Sequence, residues 1–136
     1  MPGALNGFGV YANYTWTDSK ATQPNGRETR LAGQSDQAYN LALSYEKRGF
    51  SGQISVNRVG VYIDELGEDA SDDLYADART QVDLSLSYFA RPNAQIFFDA
   101  LNLSNAPLRT YQSVVDHVRQ LEFYRPSLQL GVRFHP

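Results

Sequence analysis

The sequence predicts an all-β fold, an antiparallel up-and-down meander of about six strands that is part of a transmembrane β-barrel. Two observations lead to this prediction. Apolar and polar residues alternate in six separate stretches, while signals for helices are almost absent. The connections between these stretches are alternately long and short, so the two ends of the meander differ, which is typical of transmembrane β-barrels.

The six strands are predicted in chain order from their alternation. The first spans Gly7 to Thr17, the second spans Ala38 to Glu46, and the third begins at Phe50. The fourth and fifth form a hairpin, and the sixth spans Ser127 to Phe134. The hairpin residues that alternate with polar ones are Val82, Leu84, Leu86 and Tyr88 before its turn, and Ile96, Phe98 and Ala100 after it. Since side chains alternate between the faces of a strand, one apolar residue from each strand is expected on a common face. These residues are Phe8, Leu41, Ile54, Leu84, Ile96 and Leu130.

The connections define the two ends of the predicted sheet. Residues 18–37, 62–79 and 104–126 are long, whereas Lys47–Gly49 and Ala90–Asn93 are tight turns. Sequential strands joined in this way should pair in sequence order. Pro126 is expected at the beginning of the last strand, because proline has no N–H to donate within a sheet.

Aromatic residues form two rows on the predicted apolar face. Phe8, Tyr45, Phe50, Tyr88 and Phe134 fall at the end with the tight turns, and Trp16 and Tyr39 fall near the opposite end. At about 3.3 Å per residue and a strand tilt near 40°, the spacing of the rows approximates the apolar band of an outer-membrane barrel. We therefore predict that these residues lie at the two membrane interfaces.

A soluble β-sandwich or small barrel is the alternative, because the same alternation would direct the aliphatic residues into a core. The polar face bears on this choice. Its residues are mostly Ser, Asn, Gln, Thr and Asp, with few Lys or Glu, which is more typical of a hydrated lumen than of an outer surface.

Composition excludes several classes of function. A net charge of -3 argues against nucleic acid as a partner, since that requires a basic face. The chain has no cysteine, which excludes disulfides, zinc–thiolate sites and thiol catalysis but does not fix the compartment. No apolar run is long enough for a membrane-spanning helix. The start, Met1 to Ala4, shows no secretory signal, so if the protein belongs outside the cytoplasm, its address is expected to have been removed.

Four motifs, in order, resemble the C-terminal part of the barrel of TonB-dependent outer-membrane receptors. They are GFGVYANYTWTDSKA, AYNLALSYEKRGFSGQISVN, FFDALNLSNAPLRTYQ and LGVRF. Two departures accompany the likeness. The last strand is entered through Tyr124-Arg125-Pro126, where the family usually has a Tyr-Gly-Arg-like sequence, and two residues follow Phe134.

The resemblance implies that residues 1–136 are the C-terminal portion of a transporter barrel. Large outer-membrane transporters have about 22 strands and a plugged lumen, which six strands cannot enclose. The plug, the energy-coupling segment and most of the wall are therefore expected to be absent. The parent protein is expected in the bacterial outer membrane, where its partners are lipid, a plug domain, an inner-membrane energy-coupling complex and a scarce solute such as an iron chelate or oligosaccharide. The isolated segment, with two open edges, is expected to self-associate.

The predicted site residues are few, and neither a catalytic residue nor a cofactor site is predicted. Asp69, Asp72 and Asp73 belong to an acidic loop that could attract a hard cation, but the spacing is not that of an EF-hand, and a solvated loop is preferred. Ser113, Asp116 and His117 are residue types that a hydrolase uses, but the sequence has no nucleophile elbow, and His117 is interpreted as a loop histidine. Asp83 and Asp99 are carboxylates on the polar face that could serve a glycosidase, but acids that face the lumen are routine in barrels.

The third long connection supplies the candidates for contact with a ligand. They are Arg109, Tyr111, Arg119 and Tyr124. Loops carried on a rigid scaffold often bind ligands, but no feature of these residues identifies one. A soluble six-stranded domain that binds or hydrolyses a small ligand remains the alternative function.

Overall fold

A computed structural model describes residues 6–135 of the chain. The prediction made for Met1 to Ala4 falls outside the described residues. The described part forms twelve strands and no helix. The strands are β1 (Phe8–Trp16), β2 (Ala21–Thr22), β3 (Glu28–Thr29), β4 (Gln37–Lys47), β5 (Phe50–Val59), β6 (Tyr62–Glu65), β7 (Leu74–Ala76), β8 (Arg79–Arg91), β9 (Ala94–Leu101), β10 (Leu108–Gln112), β11 (Val118–Glu122) and β12 (Ser127–Phe134).

The six long strands form one antiparallel sheet in the order β1-β4-β5-β8-β9-β12. This order confirms the predicted meander, since each strand pairs with the next long strand along the chain. The register runs across the sheet from Leu43 to Ile54, from Ile54 to Leu84 and from Leu84 to Ala100. Directly opposed residues share a face, so the apolar residues of all six strands lie together, as the alternation predicts.

The two tight turns contain two residues each, so both are shorter than predicted. Arg48 and Gly49 alone join β4 to β5, with φ angles of 52° and 79°. Positive φ at both central residues defines the type I′ turn, whose twist matches that of the strands. The second turn is shorter than predicted. β8 continues to Arg91 through a bulge after Phe89, which leaves only Pro92 and Asn93 between β8 and β9.

The long connections are not simple loops, contrary to the expectation from sequence. A second sheet, in the order β11-β10-β7-β6, lies in residues 62–76 and 108–122. Each of its strands adjoins a strand of the main sheet in the chain: β6 follows β5, β7 precedes β8, β10 follows β9, and β11 precedes β12. The strand order of the second sheet therefore repeats that of the four last strands of the main sheet. The first long connection contains the two-stranded sheet of β2 and β3.

The few buried residues lie in the second sheet and at its junction with the main sheet. Among the described residues the buried apolar ones are Ile63, Ala76, Ala100, Ala106 and Tyr111. In the main sheet, by contrast, aliphatic residues such as Val10 and Leu130 are 72% and 74% exposed. No second layer packs on the main sheet within residues 6–135, so its apolar face is open.

Candidate functional site

The tight-turn end of the apolar face carries the first predicted row of aromatic residues. Phe8 lies opposite Tyr45, and Phe50 lies opposite Tyr88. The ring centroids of Phe8 and Tyr45 are 4.6 Å apart, and those of Tyr45 and Phe50 are 6.1 Å apart. Phe134 lies opposite Ala94 at the same end of the sheet. The rings thus form a band that runs across the strands.

The second row lies at the end of the sheet that carries the long connections. Trp16 lies opposite Gln37, and Tyr39 lies opposite Tyr14 in the next rung. Tyr14 and Trp16 are 62% and 65% exposed, so the rings project away from the sheet. The register adds Tyr14 to the predicted row, because it lies opposite Tyr39.

Between the two rows lies a belt of exposed aliphatic side chains. Ile54 in the centre of the sheet is 42% exposed and Leu43 beside it is 43% exposed, so exposure is not confined to the edge strands. A soluble sandwich would bury this belt beneath a second layer. The open belt, bounded by aromatic residues at both ends, instead matches the outer surface of a membrane barrel.

The opposite face of the sheet is polar and internally hydrogen bonded. The Ser85 hydroxyl donates to Asp99 at 2.6 Å, and the Gln81 amide donates to both oxygens of Asp83 at 3.0 and 3.1 Å. Asp83 also accepts the Asn102 backbone N–H at 2.8 Å. The two carboxylates are therefore engaged by separate donors, and they are not directly opposed, because Asp99 lies opposite Ser85.

Asn102 connects the main sheet to the second sheet. It is buried, with a φ angle of 56°, a conformation that asparagine tolerates better than most residues. Its side-chain oxygen accepts the Ala106 N–H at 3.0 Å, and its side-chain amide donates to the Tyr124 carbonyl. One side chain thereby ties the β9–β10 connection to the β11–β12 connection.

The acidic loop between β6 and β7 is held by its neighbours. Asp73 is buried and forms an ion pair with Arg27 at 2.7 Å, and it also accepts the Gly67 N–H at 2.9 Å. The Gln112 amide donates to Asp72 at 3.1 Å, while the Asp69 carbonyl accepts the Asp72 N–H. Within residues 6–135, no group of three or more His, Cys, Asp or Glu is arranged to hold a metal ion.

Two of the ligand-contact candidates pack inside the second sheet. Tyr111 is 8% exposed, and its ring stacks on Tyr75 with centroids 5.6 Å apart. Burial raises the pKa of the Tyr111 phenol, and the nearby Asp77 carboxylate adds to this effect. Arg109 pairs with Asp77 at 3.3 Å and donates to the Val115 carbonyl at 2.5 Å. Both side chains hold the loops together, and contact with a ligand stays a prediction for them.

The other two candidates are exposed. Arg119 donates through Nε to the Gln112 side-chain oxygen at 2.7 Å. The Tyr124 hydroxyl donates to Glu122 at 2.5 Å, which raises the pKa of Tyr124 and lowers the pKa of Glu122. The Arg79 guanidinium lies 5.5 Å from the centre of the Tyr124 ring. Contact with a ligand stays a prediction for Arg119 and Tyr124 as well.

The hydrolase candidates lie in the turn between β10 and β11. The Ser113 N–H donates to the Asp73 carbonyl at 3.1 Å, and the His117 N–H donates to the Val114 carbonyl at 2.9 Å. In the part of the chain that the structure describes, no side-chain hydrogen bond joins Ser113, Asp116 and His117. The hydrogen bonds of these residues are those of a turn between two strands.

Comparison with protein families matches residues 3–103 to the model for the TonB-dependent receptor-like β-barrel. The match includes β1 to β9 and ends at Leu103, beside the Asn102 junction. The chain belongs to this family. A search of curated proteins gave no match, and a search of solved structures gave none.

Membership of the TonB-dependent receptor family indicates an outer-membrane transport receptor and points to a transporter rather than an enzyme. For the parent protein it implies the bacterial outer membrane, a plug domain, the TonB complex and a transported ligand. No helix in residues 6–135 is long and apolar enough to cross a membrane, a finding that does not bear on proteins that cross with strands.

A cavity of about 520 Å³ lies at the end of the sheet that carries the long connections. Its walls include Arg30 and Asp36 from the first long connection, Tyr39 from β4 and Arg58 from β5. Arg30 and Asp36 form an ion pair with each other. Tyr39 lies opposite Arg58, so the cavity borders the second aromatic row of the apolar face.

The residues that organise the outer loops were missed in the sequence. Arg27 and Asp73 are 46 positions apart, and nothing local marks them as a pair. Asn102 belongs to a quoted motif, and its left-handed conformation is one that Asn residues favour. Arg58 could have been noticed, because it occupies an apolar-face position in a strand whose preceding residues there are Ile54 and Val56.

Proposed function

We propose that the chain is the C-terminal part of the wall of an outer-membrane active-transport receptor, in which residues 1–136 follow a plug domain and further strands. The observation that supports it best is the register of the main sheet. Six paired strands carry one aliphatic belt between two aromatic rows, and their reverse face is polar. Lipid would cover the belt, and the polar face would line the lumen.

The transported solute, in this proposal, is scarce and large enough to need a gated lumen, such as an iron chelate or an oligosaccharide. Energy comes from the inner-membrane complex that the family name implies. Arg119 and Tyr124 are exposed, whereas Arg109 is half-buried and Tyr111 is buried, so the first two would meet the solute first. The chain itself contributes wall and loops and has no catalytic role.

The assignment of the sheet as a barrel wall is tested by placing an arginine on each of its two faces. Leu84→Arg and Leu130→Arg place a guanidinium on the apolar face, where it should cost about 2–4 kcal/mol at mid-bilayer depth. Ser85→Arg is the matched control, because Ser85 adjoins Leu84 and points to the polar face. A lipid-refolding titration measures the free energy of insertion. Equal costs for all three variants would contradict the proposal.

Solute binding is tested on the loops. Arg119→Gln should weaken the capture of ferric chelates or oligosaccharides by outer membranes that contain the receptor, by about tenfold for a lost charged hydrogen bond. Arg91→Gln, which removes the same charge at the tight-turn end, should leave capture unchanged. If neither variant changes the capture of the ligand, these loops do not belong to the binding site.

A further inference from the structure

The cavity at the outer end of the sheet opens on the apolar face. Tyr39 and Arg58 are paired across β4 and β5, and Tyr39 also pairs with Tyr14 of the second aromatic row. The same rung continues to Thr80 in β8. Leu41 and Val56 occupy the next rung toward the belt. Arg58 thus stands where the aliphatic belt gives way to aromatic residues.

Arg58 carries a charge that the surrounding residues do not neutralise. Its side chain makes one hydrogen bond, a donation to the Thr80 hydroxyl at 3.2 Å, and it has no ion pair within residues 6–135. The other arginine of the cavity, Arg30, is already paired with Asp36. Since a guanidinium has five N–H donors, Arg58 keeps several free.

The position of Arg58 selects the kind of anion that can reach it. Aromatic rows on membrane barrels lie at the depth of the lipid headgroups, and long cationic side chains reach toward that layer. The planar fork of a guanidinium matches two oxygens of a phosphate. A lipid tail attached to such a headgroup would lie along the exposed belt below.

We infer that this cavity binds the phosphate of an outer-leaflet lipid headgroup, with Arg58 as its principal donor. The inference rests on the proposed function, since it requires the apolar face to lie in lipid. The site does not include the candidates for contact with the solute, because Arg109, Arg119 and Tyr124 are not among its lining residues.

Native mass spectrometry of the full 136-residue chain in maltoside micelles tests the site. The probes are dioleoyl phosphatidic acid and dioleoylglycerol, which share their tails and differ in the phosphate. The chain should retain phosphatidic acid in preference to dioleoylglycerol. Arg58→Gln should reduce this preference about tenfold, the effect of a lost charged hydrogen bond, and Arg58→Lys should reduce it less. Circular dichroism verifies that each variant keeps its strands.

Arg125→Gln is the matched control, because Arg125 is exposed near the same end of the sheet and does not line the cavity. An equal loss in Arg58→Gln and Arg125→Gln would overturn the site in favour of general charge attraction. If inorganic phosphate at an equal concentration displaces phosphatidic acid, the cavity binds free phosphate, and the assignment to a lipid headgroup is wrong.

The single tryptophan separates failure of the site from failure of the proposed function. Trp16 should be quenched by lipids brominated near the headgroup. If Trp16 is quenched but phosphatidic acid is not preferred, the phosphate site alone is refuted. If Trp16 is not quenched, the apolar face does not lie in lipid, and both proposals are refuted.

Discussion

Arg27 in the first long connection donates two hydrogen bonds to the carboxylate of Asp73 in the second, at 2.7 and 3.0 Å. The Asp73 side chain is 4% exposed, so the pair is largely withdrawn from water. Asp73 also accepts the N–H groups of Gly67 and, through its carbonyl, of Ser113. All three long connections therefore meet at this one residue.

Removal of Arg27 should loosen the outer loops. Arg27→Gln leaves the Asp73 carboxylate buried without its cation, which should cost about 3 kcal/mol of local stability. Hydrogen exchange of the Gly67 and Ser113 amides, measured in detergent, reports this opening. Arg30→Gln is the control. The Arg30 side chain is 63% exposed, so loss of its ion pair should change exchange little. Unchanged exchange in Arg27→Gln would show that the loops are held by other contacts.

The sequence was sufficient for the main sheet because its signals are local. Alternation over eight or more residues defines each long strand, and the tight turn at Arg48 and Gly49 sets the register of its hairpin. A hairpin register then fixes which residues share a face. The belt and the aromatic rows could therefore be predicted together.

The second sheet and the loop contacts could not be predicted in the same way. β7 has only three residues and directly follows Asp73, so its pattern is too short to distinguish from a loop. The Arg27–Asp73 pair and the Arg58 cavity depend on how distant segments meet. Such contacts leave no periodic trace in one sequence.

A second prediction concerns Gly131 on the polar face of β12. The Phe97 ring lies over this glycine, and a Cβ added there would come within 2.5 Å of the ring. The Arg133 guanidinium lies over the same ring, 5.4 Å from its centre. Gly131→Ala should therefore destabilise the β9–β12 pair by about 1–3 kcal/mol, the usual cost of overpacking.

Denaturant unfolding in micelles, followed by Trp16 fluorescence, measures this loss. The double variant Gly131→Ala, Phe97→Leu should recover part of it, because a smaller side chain makes room for the methyl group. Phe97→Leu alone provides the reference. Strictly additive effects of the two substitutions would mean that the ring does not restrict this position.

A third prediction concerns alkaline pH. Burial raises the pKa of Tyr111 in the folded state, so the folded protein holds this proton more tightly than the unfolded chain does. The contribution of this proton to the free energy of unfolding is fully present below the pKa of the unfolded chain, about 10. It is lost as the pH rises through the higher pKa of the folded protein. Titration of absorbance at 295 nm should show two tyrosines ionising late, because the hydrogen bond to Glu122 raises the pKa of Tyr124 as well. The late component should shrink in Tyr111→Phe, which keeps the stacked ring, and an unchanged late component would assign it to others of the nine tyrosines.

The last prediction concerns the two edges of the main sheet. β1 and β12 each pair on one side only, so both present unpaired N–H and C=O groups. Such edges associate with other strands, and the exposed belt adds an apolar surface to the contact. In the proposed parent barrel the neighbouring strands would cover both edges. The isolated chain should instead self-associate through β1 and β12, with a light-scattering mass in mild detergent that is a multiple of 15.2 kDa after subtraction of the detergent.

The double variant Tyr11→Lys, Gln129→Lys places charge on both edges and should shift the chain toward the monomer. Gln53→Lys adds the same charge to the same face of the central strand β5 and should leave the mass unchanged. A strictly monomeric wild-type chain whose edge amides exchange freely would refute association through the edges.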